Sequence, residues 1–280
     1  MNYIYDKDLE FLKYCNRYYL KDDLDNLVHI LIYDHNNKRR LTDELTLSNE
    51  FKKFYPCHVK YWKSIAAEIQ RVGSNSIMRT LRGNIGVLYR DILLNTCKIM
   101  KVKVNKKEPT IKIEKSLIEQ TAEKYIDCLN EKQKIILLNQ IKKELSVDEQ
   151  KKLGLYNQSN IDKDLLKIIV KKILHKVTIG SLQYQLFIQI TTWIVISFTG
   201  QALINTAASQ LLLSTFGGPV TLSSAIATTS FQIFTGPSYR ITIPVVFHIA
   251  SMRKKYKNPP SIFRRIAHYF SNTKIDYIHF

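Results

Sequence analysis

Few residues of this chain stand at spacings that do chemistry. Cys57 and His58 are adjacent, and a thiol beside an imidazole is the pairing of a cysteine nucleophile. Sequence neighbours rarely turn their side chains toward each other, so the pair is read as incidental. The segment LRGNIGVLYR places Arg82, Gly83 and Gly86 ahead of a helical pattern that includes Arg90. Backbone amides and two guanidiniums would suit an anion. The preferred reading is plainer: a tight turn between helices, with its arginines in solvent.

Other chemistry is excluded more firmly. There is no glycine-rich phosphate loop followed by Lys-Ser/Thr, no HExxH and no GxSxG. The cysteines, Cys15, Cys57, Cys97 and Cys128, form no CxxC pair, which removes zinc-ribbon and thioredoxin readings. No histidine lies at helical ligand spacing from another, and His248, on an apolar stretch, reads as a satisfied core or interface residue. The expectation is a protein that is not an enzyme and needs no cofactor or metal.

Charge and its absence are the informative features. Forty-two Lys and Arg face 24 Asp and Glu, a formal net charge of +18, which implies anionic company. From Val177 to Tyr239 there is no Lys, Arg, Asp, Glu or His at all. Lysines bracket this run: Lys163, Lys167, Lys171, Lys172 and Lys176 before it, Arg253, Lys254, Lys255 and Lys257 after it. The upstream group belongs to a basic amphipathic helix expected over Asp162–Lys176, a form suited to lying on anionic lipid.

A bilayer-spanning helix needs about 20 mostly apolar residues. Leu186–Ile204 has the length, with Leu186, Trp193, Ile194, Val195, Ile196 and Phe198 at its apolar centre, although Gln189, Gln201 and several threonines dilute it. Gly217-Gly218-Pro219 divides the remainder into two shorter pieces. The run is therefore read as a helical hairpin that inserts into or lies within a membrane. The alternative is a hairpin buried in the protein itself or against a protein partner. Lysines at both ends fit a hairpin whose two ends stay cytoplasmic. Nucleic acid is a further candidate partner, through Lys98, Lys101, Lys103, Lys106, Lys107 and Lys112, but no recognition motif accompanies that basic stretch. The N-terminus MNYIYDKDLEFL lacks the basic start and apolar run of a secretory signal, so a cytoplasmic protein at the inner face of the cell membrane is expected.

Scarce glycine and proline (9 and 7) and recurrent three- and four-residue apolar steps point to an all-α, multi-helix protein. Val59, Trp62, Ile65, Ala66, Ile69 and Val72 fall on one helical face, with Gly73 expected to stop that helix. A helix over Ile85–Met100, a loop ending at Pro109 and two Lys/Glu-rich helices follow, and Ser146 with Glu149 has capping-box spacing. Three segments are expected: a small helical unit over 1–48, a central basic helical domain over 49–158, and the amphipathic helix, uncharged hairpin and basic tail over 159–280.

Three stretches resemble the YaaW-type family of uncharacterised bacterial proteins. DKDLEFLKYCNRYYLKDDLDNLVHIL is similar to its N-terminal domain of unknown function, and WKSIAAEIQRVGSNSIMRTLRGNIGVLYRDILLNTCKIMKVKVNK to its central signature. GGPVTLSSAIATTSFQIFTGPSYRITIPVVFHIASMRKK is similar to its C-terminal signature. The resemblance implies no activity and no site residue. Its C-terminal part is sometimes grouped with ubiquinol–cytochrome c chaperone-like proteins, a class of helical assembly factors.

Overall fold

The computed structural model describes residues 3–16, 18–33, 39–41, 43–77, 86–156, 162–175 and 239–257. The candidate residues Leu186, Trp193, Ile194, Val195, Ile196 and Phe198, together with Lys176, Arg82 and Gly83, lie outside the described residues. The fold is all-α, as the apolar periodicity requires. Among the described residues the α-helices, in chain order, are α1 (Tyr18–Ile32), α2 (Asn49–Phe54), α3 (Trp62–Ile77), α4 (Tyr89–Ile99), α5 (Thr110–Cys128), α6 (Glu131–Glu144), α7 (Val147–Lys152), α8 (Lys163–His175) and α9 (Tyr239–Lys257).

Local chemistry sets many of the boundaries. Ser146 and Glu149 form the capping box that the spacing implies, and Asn130 with Gln133 forms a second at the start of α6. The α4 helix begins at Tyr89 rather than Ile85, because Leu88 is still extended (φ −64, ψ 146). Asp6 supplies the cap from elsewhere in the chain: its Oδ2 accepts the Tyr89 N–H at 2.6 Å.

Gly73 does not end α3, which continues to Ile77. A Cβ at Gly73 would lie 2.3 Å from Ile92 Cδ1 of α4. The glycine lets two helices approach closely, a tertiary demand that a cap rule cannot detect. The stripe through Ile65, Ala66, Ile69 and Val72 is buried as its spacing implies. Trp62 is only half-buried, its ring edge-on to Tyr3 with centroids 5.5 Å apart.

One continuous apolar cluster runs from Leu9 to Met252 and draws on all three segments of the sequence reading. Helix α9 lies at its centre, packed against α1, α3, α4 and α5. Its residues Ile243, Val245, Val246, Phe247, Ile249, Ala250 and Met252 are all buried. Burying each large apolar side chain contributes about 1.5–3 kcal/mol, so α9 is a major source of cohesion. Helix α8 packs on α5, burying Leu166, Ile169, Val170 and Ile173.

Candidate functional site

Both helices that adjoin the charge-free run are held on α5. One side of α5 enters the core through Ile113, Leu117, Ile118, Ala122, Tyr125 and Ile126. Glu119, Glu123 and Asp127 recur at four-residue steps and so share another face. The lysines of α8 recur at the same step, and the two rows meet. Lys167 Nζ lies 2.6 Å from Asp127 Oδ1, Lys171 pairs with Glu123, and Lys163 Nζ donates to the Asp127 carbonyl at 2.9 Å. That order makes α8 antiparallel to α5. The hydrogen bond to Asp127 raises the pKa of Lys167. Lys254 of α9 faces the next carboxylate in the row. Burial pushes its pKa down to about 8, while Glu119 opposes that shift and Lys115 adds to it.

The C-terminal end of α9 closes on a buried polar network. Arg253 Nη1 donates to the Asp8 carbonyl and lies 3.0 Å from Asp8 Oδ1, and its Nε is 3.4 Å from Glu114 Oε1. The guanidinium also sits over the Tyr89 ring, 5.7 Å from its centroid. Glu114 is 2% exposed. Burial pushes its pKa up to about 7, against the lowering effects of Arg253 and Tyr89. From Asp8 the network continues outward: Thr110 Oγ1 donates to Asp8 Oδ2 at 2.7 Å and accepts from Arg90 Nη1 at 3.1 Å. On the other flank of α9, Lys255 Nζ meets both Asp23 carboxylate oxygens at 2.7 and 2.8 Å. His248 Nε2 is 2.7 Å from the Asp23 carbonyl, so that nitrogen carries the proton and donates. It is a satisfied histidine, as its apolar setting implies.

These positions show where several residues singled out in the sequence lie. Arg253 and Lys255 were expected on anionic lipid; both are consumed by internal carboxylates. Lys254 is half-buried beside Glu119, and Lys163, Lys167 and Lys171 are engaged with α5. Lys172 is exposed. The anion-site candidate dissolves at its described residues. Arg90 Nη2 donates to the carbonyls of Lys106 (2.8 Å) and Glu108 (2.6 Å), anchoring the loop before α5. Gly86 sits where a Cβ would be 3.0 Å from Gln70 Cβ, so it serves close packing. Cys57 is exposed, whereas buried His58 turns to Tyr61 and to Asp25 Oδ1 at 3.2 Å. Their side chains do not form a nucleophile pair.

Sequence reasoning missed Asp8, Tyr89 and Glu114. The available signal was Glu114 itself, a lone carboxylate on the apolar side of α5. Among the described residues no group of three or more His, Cys, Asp or Glu could hold a metal ion. Among them, too, no helix is long and apolar enough to cross a membrane.

Fold and site together define an all-α protein in which the helices before and after a charge-free segment dock on one charged helix. Residues 3–41 match a family model described as a domain of unknown function, DUF3944. A UPF0174 protein of Helicobacter pylori (strain J99) is 31% identical over 258 residues, covering 91% of this chain and 94% of its own. The UPF0174 protein YaaW of Escherichia coli K12 is likewise 31% identical, with 91% and 96% covered. The chain belongs to the UPF0174 family, alongside YaaW. No solved structure matches it.

Proposed function

We propose that this chain is a non-enzymatic, cytoplasmic protein that associates with the anionic inner face of the cell membrane and inserts its charge-free run there. The observation that carries this reading is the shared mooring of α8 and α9. A charge-free run of this length begins and ends at helices that both pack on α5, and the lysines of α8 stand just before it. Such an arrangement leaves the run as the part of the chain with the least charge to desolvate in lipid. A second reading is a helical adaptor that buries the run against a protein partner. It is favoured by the character of α9, a core helix into which the run leads directly.

Alkaline extraction of membranes separates the two, with Ile194→Asp as the probe. For an inserted hairpin, an Asp near mid-bilayer costs about 2.5–3.5 kcal/mol. That is enough to move the protein from pellet to supernatant while the helical core stays folded. Wild-type protein found wholly in the supernatant, with Ile194→Asp merely aggregating, would sink the membrane reading and leave the adaptor.

A further inference from the structure

The last turn of α4 and the loop that leads to α5 carry lysines that the docking of α8 and α9 does not use. Lys98, Lys101, Lys103, Lys106 and Lys107 are all exposed. Among the described residues none of the five is in an ion pair, and Glu108, the acid of this loop, is paired with Lys112 at 3.0 Å. Unpaired surface lysines are common and usually mean no more than solvation. This loop differs because its backbone is fixed from three sides.

The Gln120 side chain accepts from the Lys103 N–H at 3.0 Å and donates to the Lys103 carbonyl at 2.7 Å. The Lys124 ammonium donates to the carbonyls of Met100 (2.5 Å) and Lys101 (3.0 Å). Arg90 holds the carbonyls of Lys106 and Glu108. Val102 is buried and Val104 half-buried, whereas Lys101 and Lys103 are exposed. Lys101 has φ +52, an uncommon conformation for a residue with a Cβ, and the Lys124 contact at its carbonyl holds it there. Burial and then the Lys101 charge depress the pKa of Lys124, a sign of the positive field at this loop.

We propose that residues 98–107 form a preorganised contact for the headgroups of anionic phospholipid. A fixed backbone leaves less ordering to be done on binding. Lysine point charges suit a layer of charged headgroups. From Lys98 to Glu108 there is no arginine and no aromatic residue, so the loop lacks both the guanidinium forks and the stacking platforms of nucleic-acid surfaces. Its location points the same way. Gln120 and Lys124, which grip the loop, each follow by one residue the acids Glu119 and Glu123 that face Lys254 and Lys171. The loop therefore borders the helix on which α8 and the C-terminal end of α9 dock. The choice of lipid over nucleic acid rests on the membrane reading above.

The test compares two full-length variants of equal charge loss. One carries Lys103→Gln, Lys106→Gln and Lys107→Gln, leaving the constrained Lys101 untouched. The other carries Lys132→Gln, Lys151→Gln and Lys152→Gln, at exposed positions on α6 and α7. Binding is measured to vesicles of phosphatidylcholine with and without phosphatidylglycerol, and to single-stranded RNA, with alkali resistance of the vesicle-bound protein as a separate readout. The loop variant should lose about a hundred-fold in affinity for the anionic vesicles, the control far less, and the loss should shrink in high salt. Equal losses in both variants would overturn the proposal, as would tighter wild-type binding to RNA that the loop variant abolishes. Loop-dependent binding that alkali fully reverses keeps this inference and removes insertion. Alkali-resistant binding indifferent to the loop does the opposite.

Discussion

Helices α8 and α9 adjoin the same charge-free run but are held in different ways. Helix α9 is wrapped by α1, α3, α4 and α5, and Arg253 and Lys255 end on buried carboxylates. Helix α8 lies chiefly on α5. Its Ile168 is 49% exposed, and its lysine pairs stay in contact with water, with side-chain exposures of 22% for Lys167 and 40% for Lys171. Solvent screens the α8 pairs, whereas in α9 the same kind of interaction is part of the core. The run is thus bordered by a buried post on one side and by a more exposed arm on the other. Local opening begins where few apolar contacts cross, so any departure of the run from the protein should take α8 with it and leave α9 in place.

The sharpest way to break this comparison is to cut one charged contact in each helix. Arg253→Ala strands Glu114 and Asp8 without their buried cation and should cost about 3–5 kcal/mol in denaturant unfolding. Lys167→Ala, at a screened pair, should cost about 1 kcal/mol or less. Similar midpoints for the two variants would mean that α9 is no more firmly held than α8.

Acidity offers a second handle on the post alone. Folding raises Glu114 from its ordinary 4.5 to about 7, so between those values the folded protein binds more protons than the unfolded one. Its contribution to stability is complete below pH 4.5 and is lost as pH rises through 7. The whole swing is about 3 kcal/mol. Glu114→Gln should remove that dependence, making the variant gain on wild type as the buffer is raised from pH 4.5 to 7.5. Parallel stability curves for the two proteins would mean that the carboxyl is already ionised in the fold.

The asymmetry was only half legible in the amino-acid sequence. Periodicity gave α8 and its apolar face, because Leu166, Ile169 and Ile173 repeat in a local pattern. It also gave the capping box at Ser146 and the satisfied state of His248. It gave no sign of the internal partners of the basic cluster after the run. Arg253, Lys254 and Lys255 look like a solvated group until Asp8, Asp23 and Glu119, far away in the chain, are brought against them. Long-range ion pairs leave no periodic trace, and neither does the close approach that makes Gly73 a helix contact rather than a stop. The charge-free run, the most legible feature of the sequence, lies outside the described residues, and α8 and α9 define its borders.

The smallest expected effect probes the arm itself. Glu123→Gln with Asp127→Asn removes the carboxylate charges that hold Lys171 and Lys167 on α5, leaving Lys167 only its exposed neighbour Asp164 at 3.4 Å and Leu166, Ile169, Val170 and Ile173 in their apolar contacts. Each pair is worth about 1 kcal/mol or less, so global unfolding should scarcely move. Amide exchange along α8 should nevertheless quicken, while exchange in α9 stays as it was. If the freed lysines turn to lipid, affinity for anionic vesicles should rise several-fold. Two lost negative charges would strengthen such binding anywhere on the surface, so the comparison must be with Asp22→Asn and Asp148→Asn, at exposed positions on α1 and α7. A gain confined to the α5 variant, together with faster exchange in α8, identifies α5 as a competitor with lipid for the same lysines. A gain shared by both variants, or exchange that quickens equally in α8 and α9, would mean that the two helices release together and that the distinction between post and arm does not hold.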